Sequence, residues 1–416
     1  MLRFHPFLGV LIIATILRCT CMIDPFFEPV PNGEWNACVG RQGSEEAYVD
    51  GYIEAAITLV SAVVDNNHPE SCDILAMPIL FNGRHALELS LKFVIDRLGE
   101  VGILTSRSKI DHDISAYWKH LHDAHIGDMT IKTVVSALHP FVESLATIDS
   151  DGQQLRYAKT LDGKVSLESI ATINLLLVRE SLFVLRKTLA RLRDRVEEFV
   201  LETHTGTFTR ECSRKDLLDV ATILGKHATW TDESFTTRKS EASTRFCLSG
   251  RQFSKAVNKI KSSRELSALI GIEKDLIHIS DEKVVIALRK WNELNSFRLN
   301  SSCGDHFEWP DFDKVQKEFE KKQDLNKFIS SLLTIDEFSD LCALYYLGRD
   351  LKYGELYDYT LQYTKSRFDV GTYGSHVDYL ISKANLLKHV IRGVERAGKP
   401  SLAQKLRSIG VESDSS

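Results

Sequence analysis

Residues 78–98 read Pro-Ile-Leu-Phe-Asn-Gly-Arg-His-Ala-Leu-Glu-Leu-Ser-Leu-Lys-Phe-Val-Ile-Asp-Arg-Leu, and this stretch decides the predicted fold. At about 100° per residue, four polar side chains fall within one quarter of a helix circumference. We call these four residues the seam: Arg84, His85, Glu88 and Lys92. Most other positions are apolar, and a helix that is apolar on most sides belongs in a core. Because buried charges must be paired or used, the seam is a candidate for a structural or a functional site.

The composition is that of a soluble globular protein. The chain has 416 residues, of which 43% are hydrophobic and 26% are charged, and this length suits two or three domains. The formal net charge of −5 and the pI near 6.3 argue against sequence-independent nucleic-acid binding by the whole chain. A local basic groove stays compatible with these values.

The cysteines and clustered histidines predict no metal site. Eight cysteines are scattered without a Cys-x-x-Cys pair, and Cys19-Thr-Cys21 lacks the spacing of a zinc knuckle. His120, His122 and His125 do not line one helical face, and no carboxylate or cysteine completes a ligand set. We therefore expect reduced thiols in a cytoplasmic protein that holds no metal and no cofactor.

The first 21 residues carry an apolar run, residues 7–17, behind Arg3. This pattern imitates a signal peptide but is shorter than the span of about 20 residues that a membrane helix needs. Arg18 interrupts a lipoprotein-type cleavage site, and Met22 begins an ordinary soluble N-terminus. We expect an upstream extension or a disordered tail, with a cleaved signal or a membrane anchor as alternatives, and no stable membrane association.

Helical periodicity without alternating strands predicts an all-α chain. Residues 1–44 are predicted to be an N-terminal extension and extended arm, followed by a helical bundle over 45–202. A linker with one helix is expected over 203–247, a C-terminal helical domain over 248–409, and a disordered tail over 410–416.

The apolar spacing also predicts individual helices. In the bundle they cover 45–64, a helix from 71 kinked at Pro78, 114–125, 130–147 bent at Pro140, and 167–202, with a loop or small hairpin over 149–166. In the second half they cover 250–262, 264–270, 281–296, 311–332, 335–348, 354–366 and 375–397, and Pro400 breaks the last of them.

Four segments resemble one known family. They are Tyr52-Ile-Glu-Ala-Ala56, the stretch 78–92, His112-Asp-Ile-Ser-Ala-Tyr-Trp118, and Leu155-Arg-Tyr-Ala-Lys-Thr-Leu-Asp-Gly163. Their types and order resemble the HEPN superfamily of helical domains, and in particular a group of bacterial proteins with an Arg-His-x-x-Glu-Leu helix. Segments 248–253, 269–273 and 345–350 resemble the companion region of the same group.

The resemblance implies a helical, often dimeric domain with a role in host defence or toxin–antitoxin biology. Some members of the superfamily are metal-independent endoribonucleases in which four to six residues separate an arginine from a following histidine. Arg107 and His112 have that spacing here, but they lie in a predicted loop, whereas the family places the motif on a helix. Arg84 and His85 are adjacent, which also departs from the motif.

The seam has two interpretations. In the first, Glu88 is the structural ion pair between Arg84 and Lys92, each one helical turn away, and the ladder fixes the helix against its neighbours. In the second, Arg84 and Lys92 bind phosphate or RNA while His85 transfers a proton as a catalytic residue.

Two further pairs extend these alternatives. Asp113 is predicted to cap the helix that begins at residue 114, and His112 could be a second catalytic histidine beside His85. Arg156 and Tyr157 could bind a phosphate and stack on an RNA base, or form a hairpin that covers the bundle.

A third group, in the second half, is predicted to be structural. Gly348-Arg349-Asp350 does not match a phosphate loop, since the preceding strand and the Gly-Lys-Ser/Thr ending are missing. The neighbouring tyrosines are expected to be aromatic packing: Tyr345, Tyr346, Tyr353, Tyr357, Tyr359 and Tyr363.

The sequence therefore supports two functions. One is an RNA-associated role, with metal-independent endoribonuclease activity of the defence or toxin type. The alternative is a non-catalytic helical module that interacts with a protein partner or with a second copy of the chain.

Overall fold

The computed structural model describes residues 33–40, 43–105, 111–159, 163–168, 172–299, 312–368 and 371–412. Within these ranges the chain is built from helices without a β-strand, and a lone antiparallel bridge joins Lys159 to Val165. The all-α prediction is confirmed. The expectations for residues 1–21 lie outside the described residues, as does Arg107.

The first bundle holds the seam. Its helices are α1 (Glu45–Asp65), α2 (Cys72–Glu100), α3 (Ile114–His122), α4 (Met129–Ala137), α5 (His139–Ile148) and α6 (Leu175–Thr203). The long helices α1, α2 and α6 pack against one another around a core of aliphatic side chains. Gly83 allows this close approach beside the seam, because a Cβ there would lie 2.7 Å from Leu182 of α6.

Helix α1 is long and apolar enough to cross a membrane by length and composition, with a mean hydropathy of 1.4. In the structure its Ile53 and Val60 are buried in the bundle core. Its outer side pairs with α6, where Arg186 donates to Glu54 at 2.6 Å. Helix α1 therefore forms one wall of the bundle.

Several helix ends differ from the prediction. Helix α3 ends at His122, and the single helix expected over 130–147 is two helices that meet at Leu138. Helix α6 begins later than expected, because the Asn174 side chain accepts from the amides of Leu176 and Leu177 and caps it there. Pro78 lies inside α2, which is one uninterrupted helix in the secondary structure.

The predicted linker over 203–247 is instead part of a second packed unit. It contains two α-helices, α7 (Arg214–Leu224) and α8 (Ser234–Arg245), where one was expected. Their buried side chains share a core with α9 (Gly250–Ser262) and α10 (Arg264–Leu269). The exposed faces are rich in Ser, Thr and Lys. Because of this composition, the sequence pattern did not reveal the narrow apolar face that is buried.

A third core forms in the last part of the chain, around the helix Ile335–Arg349. The helices are α11 (Asp281–Leu299), α12 (Phe312–Leu332), α13 (Ile335–Arg349), α14 (Tyr357–Lys365), α15 (Tyr373–Ile381), α16 (Leu386–Arg396) and α17 (Pro400–Glu412). Helices α13 and α16 approach backbone to backbone. Only glycine fits at their crossing, because a Cβ on Gly393 would lie 1.8 Å from the Leu344 carbonyl oxygen.

One helix near the end of the chain differs from the prediction. The helix expected over 375–397 is divided into α15 and α16. Helix α16 ends at Arg396, before Gly398, whose φ is +86°, and Pro400 is instead the first residue of α17, where a proline costs no hydrogen bond. The backbone of α17 is helical to Glu412, and the rest of the tail predicted over 410–416 lies outside the described residues.

Candidate functional site: a buried charge network on helix α2

The centre of the site is the guanidinium of Arg84, which is 1% exposed. Its Nη1 donates to Glu88 Oε2 at 2.9 Å, one turn along the helix. Its Nε donates to the Asp149 carbonyl oxygen at 2.7 Å, and its Nη2 donates to the His112 carbonyl oxygen at 2.6 Å. All three nitrogens of Arg84 are therefore engaged with the chain itself.

Glu88 is also 1% exposed and is the shared acceptor of the site. Its Oε1 accepts from Lys92 Nζ at 2.7 Å and from His112 Nδ1 at 2.9 Å. Burial alone would raise the pKa of Glu88, but hydrogen bonds from Lys92 and His112 outweigh burial and hold the pKa below its ordinary value. Glu88 is therefore ionised at neutral pH.

The loop that begins at Asp149 covers the Arg84 guanidinium. The carboxylate of Asp149 is buried and accepts from the amides of Gln154 and Leu155, which closes the loop on itself. A Cβ on Gly152, whose φ is +75°, would lie 3.1 Å from Arg84 Nη1. Glycine at this turn thus allows the loop backbone to lie directly against the charged group.

The turn before α3 is the second segment held by the site. Asp113 accepts from the Ala116 amide at 3.0 Å, so its predicted role as the helix cap is confirmed. The neighbouring Asp111 carbonyl oxygen accepts from the Tyr117 hydroxyl at 2.9 Å. The cap and the tyrosine fix the turn, and the carbonyl of His112 in that turn accepts from Arg84.

The charges of the site balance. Arg84 and Lys92 carry two positive charges, and Glu88 and Asp149 carry two negative charges, with Asp149 Oδ2 lying 3.8 Å from Arg84 Nε. The arrangement fits the ion-pair ladder of the first interpretation and extends it with a second carboxylate. An additional phosphate would bring excess negative charge to a place where the donors of Arg84 are already used.

Two side chains of the site reach solvent. Lys92 is 26% exposed, and its ammonium lies 5.2 Å from the ring centre of Tyr117. The His112 side chain is 51% exposed, and its Nδ1 faces Glu88. Since a carboxylate only accepts, His112 carries a proton on Nδ1 in this arrangement.

His85 lies beside the network and contacts aromatic rings. Its imidazole is edge-on to Tyr52 of α1, with ring centres 4.4 Å apart, and is stacked with Phe81 at 5.6 Å. Burial lowers the pKa of His85, opposed by the nearby charge of Glu88. His85 and His112 therefore flank Glu88 from different surroundings, one apolar and one half exposed.

Arg156 and Tyr157 lie at the outer edge of the same loop. Arg156 Nε donates to the Gly152 carbonyl oxygen at 2.6 Å, and the guanidinium lies 5.7 Å from the Phe81 ring centre. Tyr157 is 56% exposed. The structure thus brings Arg156 next to the His85–Phe81 stack, and Tyr157 projects from this edge into solvent.

Two of the three histidines considered for a metal, His120 and His122, have other partners. His120 Nε2 lies 2.9 Å from the Thr105 carbonyl oxygen, and His122 stacks on Trp118 with ring centres 4.6 Å apart. Among the described residues, no group of three His, Cys, Asp or Glu side chains could hold a metal ion.

Sequence reasoning missed a second buried network, centred on Arg195 of α6. Arg195 Nη2 donates to Asp128 at 2.7 Å and to Glu202 at 2.9 Å. Asp128 also caps α4 through the Ile131 amide, and Glu202 accepts from the Lys215 amide at the start of α7. The available signal was Asp128 in a helix-capping position, but nothing local indicated that Arg195 would be buried.

A third network, around Asp340 of α13, was also missed. Its carboxylate accepts from the amides of His278 and Ile279 at 2.5 and 2.8 Å, and from the Tyr357 hydroxyl at 2.5 Å. Burial raises the pKa of Tyr357, and the Asp340 carboxylate adds to the effect. These contacts tie α13 and α14 to the segment before α11, a structural role.

Comparisons of this chain with protein-family models, with curated proteins and with solved structures found no match.

Proposed function

We propose that this chain is a non-catalytic helical interaction module in which Arg84, Glu88 and Asp149 form a structural network. The observation that carries the proposal is that Arg84 and Glu88 are each 1% exposed and bonded to one another. The network holds the turn before α3 and the loop after α5 against α2, and so supports the surface that a protein partner or a second copy would meet.

The arrangement argues against phosphate binding by Arg84. To bind a phosphate, Arg84 would have to leave Glu88 and two backbone carbonyls, and each of these would lose its partner in a buried place. Removing one member of a buried ion pair typically costs about 3–5 kcal/mol. A site that binds and releases a ligand seldom requires a rearrangement that costs this much free energy.

A cleavage assay tests the proposal. The purified full chain is incubated with a single-stranded RNA in EDTA, alongside His112→Ala and a matched exposed control, His125→Ala. The proposal predicts equal background cleavage in all three samples. Cleavage by the unmodified chain that His112→Ala loses would contradict it.

One observation favours a second function, metal-independent RNA cleavage. The Glu88 carboxylate orients His112 through Nδ1, while the half-exposed ring leaves Nε2 without a hydrogen bond from the described residues. A histidine oriented by a carboxylate is a common general base. The HEPN resemblance implies the same reaction class and supplies the reason to test it.

The second function makes its own demands. His112 would take the proton of a 2′-hydroxyl, whose oxygen would attack phosphorus as the bond from phosphorus to the 5′-oxygen breaks. Lys92, which lies beside His112 on Glu88, would face the phosphate, and water would protonate the leaving 5′-oxygen. Cleavage would persist in EDTA and leave 2′,3′-cyclic phosphate ends. His112→Ala would slow it at least about a hundredfold, the usual scale for a lost general base. Linear 3′-hydroxyl products would exclude this mechanism.

A further inference from the structure

A cleft lies between the end of α13, helix α14 and helix α15, far along the chain from the seam. It encloses about 550 Å³, within the range of small-molecule sites. Its walls combine basic and aromatic side chains, and the proposal below uses five of them: Tyr346, Arg349, Lys352, Tyr363 and Arg367. It is independent of the function proposed for the seam.

The basic side chains give the cleft an excess of positive charge. Arg349, Lys352 and Arg367 line it together with a single carboxylate, Asp350. Arg349 Nε donates to Asp350 at 2.6 Å, and Lys352 Nζ lies 3.4 Å from it. Three cations against one anion leave donors for a doubly charged phosphate, in contrast to the balanced charges of the seam.

The aromatic side chains are presented with their faces beside these cations. The guanidinium of Arg349 lies 4.7 Å from the Tyr346 ring centre, and that of Arg367 lies 5.7 Å from Tyr363. Tyr363 and Tyr379 are about half exposed, although Tyr363 was expected to be packed. Exposed aromatic faces next to arginine are the surfaces on which a planar base stacks.

We propose that this cleft binds a mononucleotide. Arg349, Lys352 and Arg367 hold its phosphate, and Tyr346 and Tyr363 stack on its base. The combination favours a ligand that is both a phosphate anion and a planar ring, since either half alone would leave one kind of lining residue unused. A single nucleotide also suits the enclosed volume better than a nucleic-acid strand does, and the net charge of −5 disfavours a strand.

Isothermal titration calorimetry on the full chain tests the proposal with three probes, AMP, adenosine and inorganic phosphate. AMP is expected to bind at least about tenfold more tightly than either of the other two, since it engages both halves of the cleft. Arg367→Gln should weaken AMP about tenfold and leave adenosine unchanged, the scale of a lost charge-assisted hydrogen bond. Tyr363→Leu should weaken AMP and adenosine but not phosphate.

A matched control is Arg245→Gln, which removes another exposed arginine that lies over an aromatic ring, Phe246, outside the cleft. It should bind AMP like the unmodified chain, and circular dichroism should show all variants folded. The proposal is overturned if AMP gives no binding up to about 1 mM. It is equally overturned if phosphate binds as tightly as AMP, if Arg245→Gln weakens AMP as much as Arg367→Gln, or if an RNA oligonucleotide binds the cleft more tightly than AMP.

Discussion

Arg84 Nη2 lies 2.6 Å from the carbonyl oxygen of His112, and the two residues are 28 positions apart in the chain. The same guanidinium donates through Nε to the carbonyl oxygen of Asp149. One side chain in the middle of α2 therefore holds two separate connecting segments. This geometry gives the buried charge a structural use that does not depend on a ligand.

The cap of α3 should contribute measurably to stability. Asp113→Ala removes the acceptor for the Ala116 amide and is expected to cost about 1 kcal/mol. Asp113→Asn keeps an oxygen in the same place and should cost only a few tenths of that. Urea unfolding followed by circular dichroism measures both values, and equal losses in the two variants would mean that the cap does not act through this hydrogen bond.

His85 should make stability depend on pH. Burial lowers the pKa of His85 in the folded chain, so below the unfolded value of about 6.5 the unfolded chain binds more protons. Stability from this group is full above that pH and is lost as the pH falls below it. His85→Gln should therefore flatten the decline in unfolding free energy between about pH 7 and pH 5.5.

The exposed His125 provides the control for the pH effect. His125→Gln should show the same decline in unfolding free energy with falling pH as the unmodified chain. The two variants must be compared because Asp216 changes the stability with pH in the direction opposite to His85. Burial raises the pKa of Asp216 to about 6, so its contribution to stability is lost as the pH rises through that range. If His85→Gln and His125→Gln behave alike, His85 is not buried as described.

The local parts of the fold could be read from the sequence. Helix α9 has the predicted bounds because Ser249 and Gln252 form a capping box at its start and its apolar residues follow a helical period. The seam and the Asp113 cap were found for the same reason, since their partners lie within a few residues. Patterns of this kind need no knowledge of the rest of the chain.

The parts that depend on distant residues could not be read in this way. Arg195 stands in the charged run Arg-Leu-Arg-Asp-Arg-Val-Glu-Glu, which is typical of an exposed helix face, and its burial depends on Asp128, 67 positions away. Asp149, the second carboxylate beside Arg84, was assigned only to a loop. Periodicity identifies which face is apolar, but it does not identify which distant group meets a charge.

Arg195 should be as important for stability as the seam. Arg195→Ala leaves the buried carboxylates of Asp128 and Glu202 without their shared cation and should destabilise the chain by about 3–5 kcal/mol. The neighbouring Arg193 pairs with the exposed Asp50, and Arg193→Ala should cost no more than about 1 kcal/mol. Thermal unfolding of the two variants compares them, and a small loss in Arg195→Ala would contradict the buried network.

The thiols should differ in reactivity according to burial. Burial, together with the charge of Asp216, raises the pKa of Cys212 to about 12, and burial raises that of Cys342 well above its ordinary range. Cys38 and Cys247 are exposed. Iodoacetamide treatment of the native chain near pH 7.5, read by peptide mass spectrometry, should label Cys38 and Cys247 but not Cys212. Rapid labelling of Cys212 would indicate that its surroundings open.

The most direct test of the structural role of the seam is the unfolding free energy of Glu88→Ala, measured by urea titration beside Glu54→Ala. Glu54 pairs with Arg186 on the bundle surface and provides the matched exposed carboxylate. Glu88→Ala is expected to lose about 3–5 kcal/mol, because Arg84 becomes a buried cation without its ion-pair partner on α2, while Glu54→Ala loses no more than about 1 kcal/mol. A loss of about 0.5 kcal/mol in Glu88→Ala, the range of a surface substitution, would contradict a buried structural network.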